Sequence, residues 1–390
     1  MAVFTDITDS KYRDQLRAIE NAYEISITSI EAILLGSADS LFKISTSQHA
    51  EALVLTIYET PYVTPYGLTH EAAQRMLWFI DYVANASDGV TDNTGELVKL
   101  IILKPLQANA NNPHQAPYID LTFEGIQKCA SIVPFVKGKS YANSPEELAE
   151  PHEAMLVGKA LGAYLKIAKS YPNREIFPEF PFHEYARGVA QVSGDPSTEG
   201  RLGYVLSKGR SEGSAAVSIG RQYMADMKER GQRLVREWDR VFSKESVYAN
   251  TLIHGDVFTD NVIFDEEGNV VLLDFNETSY GPIGLDIGIA LSSWASRYGM
   301  PAMDNALNFL EGFDSVGHLT REQLTQIPAF VQIGAYCYET FRVRRIGMQD
   351  PRQMKMRSPD EFRSIQLGWR KLESVFAGVS SLEDLETRIS

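Results

Sequence analysis

Three side chains within the stretch Leu252–Leu291 have the types and spacing that metal-assisted group transfer requires: Asp256, Asn261 and Asp274. Two apolar runs, Val262–Phe264 and Val270–Leu273, flank Asp265-Glu266-Glu267-Gly268-Asn269, which predicts a β-hairpin. If the strands pair about a centre between Glu267 and Gly268, Asn261 and Asp274 fall opposite each other at the open end. An amide oxygen and a carboxylate meeting there make a hard-oxygen site suited to Mg²⁺. Asp256, on the preceding loop, is then placed to accept a proton from a hydroxyl attacking a metal-bound phosphate. One base and two metal ligands are the apparatus of phosphoryl transfer.

The order H-G-D-x4-N followed by D-F is the catalytic-loop pattern of kinases with one change. Gly255 stands between His254 and Asp256, where protein kinases carry Arg. This version resembles the aminoglycoside-phosphotransferase and choline-kinase branch of the protein-kinase-like fold, and Gly281-Pro282-x3-Asp286 adds to the resemblance. A lone HGD turn or DF strand end is more often structural than catalytic, but four pieces in fixed order and spacing are hard to obtain by accident. The resemblance implies an α+β, bilobal fold. Its N-lobe, an antiparallel sheet with one helix, would span 1–136, and its mostly helical C-lobe 137–390. ATP and Mg²⁺ are the implied cofactors, with His254 and Asp286 shaping the loop.

The chain has 390 residues, enough for two lobes with a sizeable core. Its net charge of −14, from 37 basic and 51 acidic residues, argues against nonspecific binding to nucleic acid or an anionic membrane. Acidity suits a cationic or zwitterionic substrate, although solubility alone is the commoner reason for such a charge. Cys129 and Cys337 lie in apolar surroundings without metal-ligand spacing, as expected of reduced core residues in a cytoplasmic protein. The opening residues contain neither a signal-peptide core nor a transmembrane run. The oligomeric state is left open, a homodimer included.

In chain order, Asp9–Tyr23 predicts an amphipathic helix capped by Asp9 or Ser10. Strand-like runs Ser26–Leu35 and Leu41–Ser45 surround a small-residue turn. Gly36, Ser37 and Ser40 of this turn are candidates to close over nucleotide phosphates; a plain turn is as good a reading. Ala52–Glu59 predicts a third strand and Thr69–Ala86 a helix. Residues 101–124, rich in Pro and Asn, resemble an insertion: an interface arm, a substrate flap or a surface excursion. A last N-lobe strand at Ala130–Val133 runs into Pro134–Gly138. By family position this is the hinge, so Phe135 and Val136 are candidates to read the adenine edge. Pro151–Ser170 predicts a core helix, the glycines of Gly194–Gly220 a mobile loop, and Gly220–Phe242 and Leu319–Ser390 helices.

Kinases generally place a phosphate-binding Lys on the third strand, and this chain has Thr56. Either it is inactive, or another cation serves, with Lys43 the candidate. Leu53–Glu59 resembles the corresponding strand of bacterial type II homoserine kinases, which also tends to carry Thr. Met1–Asp6, Ser292-Ser293-Trp294 and Ser358–Phe362 resemble that group's start, its Asn-Asp-Trp and its Asp-Pro-x-x-Phe. Departures are Asp39 and Leu41, where the group tends to have Asn, and Lys166-Ile167 in place of Leu-His. The resemblance implies phosphorylation of L-homoserine or a related amino alcohol, a small molecule bearing a hydroxyl and an amine. The alternatives are an aminoglycoside-type antibiotic or other amine metabolite as acceptor, and a non-catalytic binding protein that keeps the fold. Asn276, Glu277 and Arg345 are substrate-site candidates. Arg345, with Arg342 and Arg344, would clamp a carboxylate, against the reading of a solvated basic helix face.

Overall fold

The computed structural model describes residues 5–33, 39–59, 69–108, 115–142, 148–242, 250–347 and 358–389. Gly36 and Ser37, the expected phosphate-loop residues, lie outside them. The chain divides into two compact units. One comprises Met1–Val90, Leu100–Ala142 and Val262–Asn276; the other comprises Thr91–Lys99, Asn143–Asn261 and Glu277–Ser390. The hairpin that ends in Asp274 therefore groups with the N-terminal unit, although the sequence expectation assigned all of 137–390 to the other.

In the first unit, helix α1 (Arg13–Tyr23) follows a 3₁₀ turn whose cap is Asp9, its side chain accepting the Lys11 N–H. Strands β1 (Ile27–Ile33), β2 (Ser40–Thr46) and β3 (Leu53–Ile57) precede helix α2 (His70–Ala86), which Thr69 caps. Then come β4 (Leu100–Ile102), β5 (Ile119–Phe123), β6 (Ile126–Pro134) and β7 (Gly138–Ser140). The main sheet is antiparallel in the order β1-β2-β3-β6-β5. Strand alternation places Phe42, Ile44, Leu53, Leu55, Ile57, Ala130 and Ile132 in one buried cluster with Ile19 and Tyr23 of α1. Cross-strand rows Lys43–Val54–Val133 and Leu41–Thr56–Ser131 therefore share the other face.

The 101–124 stretch is not an excursion. It contributes the end of β4, the bridge Ala108↔Ala116 and edge strand β5, while 109–114 lie outside the described residues. The second sheet pairs Val270–Leu272 in parallel with β4 and antiparallel with Val262–Asp265, whose other edge pairs with β7. The hairpin is centred on Glu267, since Leu272 pairs with Val262. Asp265 and Asn269 close the turn around three residues, with Gly268 at φ 76°. An odd loop moves the register by one from the sequence expectation, which centred the pairing between Glu267 and Gly268.

The second unit is helical apart from short strands. Its helices are α3 (Pro151–Ala168), α4 (Phe182–Val192), α5 (Pro196–Leu206), α6 (Gly213–Val241), α7 (Ile283–Trp294), α8 (Met303–Gly317), α9 (Arg321–Gly347), α10 (Pro359–Lys371), α11 (Glu373–Phe376) and α12 (Leu382–Ile389). Asn250–Ile253 and Ser279–Pro282 pair antiparallel, just before the catalytic-loop sequence and just before α7. Among the described helices, none is long and apolar enough to cross a membrane. Both cysteines are buried.

The expected mobile loop over 194–220 instead holds all of α5 and the start of α6. Two of its glycines, Gly203 and Gly220, serve contact between helices. A Cβ at Gly203 would lie 1.8 Å from the Ala216 carbonyl oxygen, and one at Gly220 would lie 1.9 Å from that of Glu199. The two helix backbones approach too closely for any side chain there. Gly203→Ala is thus expected to lower stability by about 1–3 kcal/mol through overpacking, against a gain in helix propensity of up to about 1 kcal/mol. Urea denaturation would measure the difference; an unchanged midpoint would show that the pair can separate without cost.

Candidate functional site

In the helical unit, the loop from His254 to Asn261 is hung on buried groups. The Asp286 carboxylate, at the start of α7, accepts the backbone N–H of His254 at 2.7 Å and that of Gly255 at 2.7 Å. Burial pushes this carboxyl up to about 7, against the pull of those two donors. His254 is buried, receives the Asp256 N–H on Nδ1 at 3.3 Å, and lies edge-on to Tyr164. Gly255 has φ 79°, and a Cβ there would lie 2.6 Å from the Glu277 carbonyl oxygen. That close approach accounts for glycine where protein kinases carry arginine. From α7, Ser293 Oγ accepts the Thr259 N–H at 3.2 Å and Trp294 Nε1 donates to the Val257 carbonyl at 3.1 Å.

Asp256 is gripped on both oxygens. The Tyr338 hydroxyl, from α9, lies 2.5 Å from Oδ1 and 2.7 Å from the Gly255 carbonyl. Asn261 Nδ2 donates to Oδ2 at 2.7 Å and to the Asp256 carbonyl at 2.9 Å. Desolvation, and next the charge of Asp256, hold the Tyr338 phenol well above its usual range. Two expected residues, Asp256 and Asn261, are thus brought together. The Asn261 amide nitrogen being engaged inward, its oxygen Oδ1 is turned the other way. That orientation fits a hard-oxygen ligand for Mg²⁺.

Glu277 and Arg345 belong to the same unit. Burial first, and then the Glu277 charge, raise the Cys337 thiol; the same charge adds to the rise of Tyr338 after burial and Asp256. Arg345 is not on a solvated face: it is 5 % exposed, with its guanidinium 4.3 Å from the Phe341 ring centroid. Arg344 packs against Gly188 of α4, and Arg342 lies over the Phe341 and Phe362 rings.

In the other unit, Asp274 has left the strand with φ 58°, a left-handed conformation that aspartate tolerates better than most residues. Asn276 Nδ2 donates to Asp39 Oδ2 at 2.7 Å, and Asp39 Oδ1 accepts the Glu59 N–H at 2.9 Å. Burial, then the charge of Asp274, pushes the Asp39 carboxyl up to about 7. Asp39, noted in the sequence only as a departure from family usage, is therefore a second carboxylate beside Asp274. Lys43 lies on the sheet face away from the core, with Nζ 4.4 Å from the Phe135 ring centroid. The Phe135 N–H is spent on the Ala52 carbonyl at 3.0 Å, while Val136 continues towards β7. Ser40 faces inward: its hydroxyl donates to Glu59 Oε1 at 2.6 Å and accepts the Thr5 N–H at 2.9 Å.

Two features went unread in the sequence. Tyr338 sits in a helix with no motif around it. Lys128 forms a buried ion pair with Glu59 and also donates to Thr5 Oγ1 at 2.7 Å. Its position was recoverable from parity, because Lys128 shares a strand face with core residues Ala130 and Ile132.

A backbone-anchored HGD loop, a base candidate held by hydroxyl and amide donors, and a DF segment after a hairpin define a phosphotransferase. The sequence matches the phosphotransferase enzyme family (APH) over residues 29–319, and the chain belongs to that family. It is 25 % identical over 337 residues to a homoserine kinase of Sinorhizobium medicae (strain WSM419), a match covering 84 % of this chain and 82 % of that protein. A homoserine kinase of Rhizobium meliloti (strain 1021) is 24 % identical over the same shares. Among solved structures, the amicoumacin kinase hAmiN, in complex with AMP-PNP, Ca²⁺ and Ami, superposes with a TM-score of 0.60 at 12 % identity, over 97 % of each chain. A microcompartment-associated aminopropanol kinase superposes with a TM-score of 0.59 at 14 % identity, over 95 % of this chain and 99 % of that one. The fold is protein-kinase-like and α+β, as the sequence led us to expect.

Proposed function

We propose that this chain transfers the γ-phosphoryl group of ATP to the hydroxyl of a small amino alcohol, with L-homoserine the first candidate. The observation that carries this reading is the doubly held Asp256 on a loop suspended from Asp286. Matches to homoserine kinases across most of the chain support the choice of acceptor.

Asp256 accepts the proton of the attacking hydroxyl. Asn261 and Asp274 would hold Mg²⁺, which would supply charge neutralisation at the nucleotide phosphates. Lys43 supplies the positive charge that Thr56 cannot, since Lys128 is already committed to Glu59. Phe135 and Val136 border the adenine, and Asn276, Glu277 and Arg345 remain candidates to read the acceptor. Tyr338 and Asn261 keep the base oriented.

The test is ADP release with Mg²⁺-ATP and a panel comprising L-homoserine, 1-amino-2-propanol, choline and an aminoglycoside. Turnover of L-homoserine or an amino alcohol with the highest kcat/KM is expected. Preference for the aminoglycoside would move the acceptor to the antibiotic class, and ATP binding without turnover of any alcohol would favour a non-catalytic binding protein. Tyr338→Phe removes one hydrogen bond to a charged group, worth about 1.5–3 kcal/mol, so kcat should fall roughly 10- to 100-fold. KM for ATP should hold; a loss confined to KM would show that Tyr338 does not orient the base.

A further inference from the structure

The first turn of α2 faces the β5–β6 hairpin through a group that the phosphotransferase reading does not use. His70 Nε2 lies 2.9 Å from Asp120 Oδ1, and Cys129 Sγ lies 3.6 Å from the same oxygen. Asp120 and Cys129 are directly opposed in the strand register, so their side chains leave one face of the hairpin together. The three ligand atoms all lie within 4.8 Å of one another. Gln74, one helical turn after His70, places Nε2 3.1 Å and 3.2 Å from the two Asp120 oxygens.

We propose that His70, Asp120 and Cys129 bind a divalent transition metal of the zinc class. Imidazole, carboxylate and thiolate are the three zinc ligand types, and bond lengths of about 2.0–2.3 Å put tetrahedral ligand atoms roughly 3.4–3.7 Å apart. The sulfur-to-carboxylate spacing already falls in that range, and the imidazole-to-carboxylate spacing needs to open by a few tenths of an ångström. A soft thiolate beside an imidazole selects against Mg²⁺, which separates this site from the hard-oxygen donors proposed for the nucleotide metal. Cys129 is buried whereas the Asp120 side chain is 48 % exposed, so an ion enters from the carboxylate side. Gln74 completes the shell if its amide is turned oxygen-inward, an orientation isosteric with the present one. On binding, Cys129 releases its thiol proton to solvent, and His70 binds through neutral Nε2. The ion would pin the start of α2 to the β5–β6 hairpin.

Cobalt(II) is the probe. The full chain, stripped with chelator, is titrated with Co²⁺ alone and then with Zn²⁺. One equivalent of Co²⁺ should produce a thiolate-to-cobalt charge-transfer band with tetrahedral d–d bands, all lost when Zn²⁺ displaces it. Oxygen-only ligation by Asp274 and Asn261 gives no such charge-transfer band. Cys129→Ser, nearly isosteric, should abolish the charge-transfer band. His70→Gln and Asp120→Asn, at the exposed edge, should each weaken Co²⁺ binding, and they serve should the serine variant not fold. Absence of the band from the parent protein, its survival in Cys129→Ser, or unaltered affinity in both edge variants would overturn the site and leave a plain His70–Asp120 hydrogen bond.

Discussion

Asp256→Asn is expected to lower kcat by about 10²- to 10⁴-fold, the range that general-base catalysis commands. Asparagine preserves shape and can still accept from Tyr338 or Asn261, so the loop should stay folded on Asp286. ATP affinity should change by less than about twofold, because the base acts on the acceptor's proton and not on the nucleotide. Steady-state kinetics with calorimetric ATP titration separates the two quantities. Activity equal to that of the parent protein would dismiss Asp256 as the base.

Asp274→Ala should be as severe by a different route. Losing the one proposed carboxylate ligand forfeits several kcal/mol of charge stabilisation, about 10³-fold or more in kcat/KM. Unlike Asp256→Asn, it should also abolish the dependence of ATP binding on Mg²⁺. The substitution removes one of the charges that drive the Asp39 carboxyl up to about 7. Full Mg²⁺-dependent ATP binding in Asp274→Ala would assign the metal to other oxygens, with neighbouring Asp39 the first to test.

The catalytic-loop sequence was legible because its chemistry is carried by contiguous residues. His254, Asp256 and Asn261 fall on one loop, and Asp286 reaches that loop's backbone from the start of α7. Strands β2, β3 and β6 showed as short apolar runs, and α2 and α3 in their apolar stripes. What failed was reading glycine as freedom. Gly203 and Gly220 are there because two helix backbones nearly touch, and a close approach is invisible until the partner helix is known. The hairpin register slipped for a similar reason: composition locates a turn, but only the Asp265–Asn269 closure counts its residues. The Pro- and Asn-rich 101–124 stretch concealed an edge strand because β5 alternates over only five residues, Ile119–Phe123. Tyr338 is the instructive miss. It lies 82 residues from Asp256 in sequence, and nothing local marks it as that residue's partner.

The most direct test of the central claim follows phosphorus from donor to acceptor. With Mg²⁺-ATP and L-homoserine, ³¹P NMR should show a phosphate monoester appearing one-for-one with ADP in the parent protein and not with Asp256→Asn. ADP matched instead by inorganic phosphate, or a monoester formed equally well by Asp256→Asn, would contradict it.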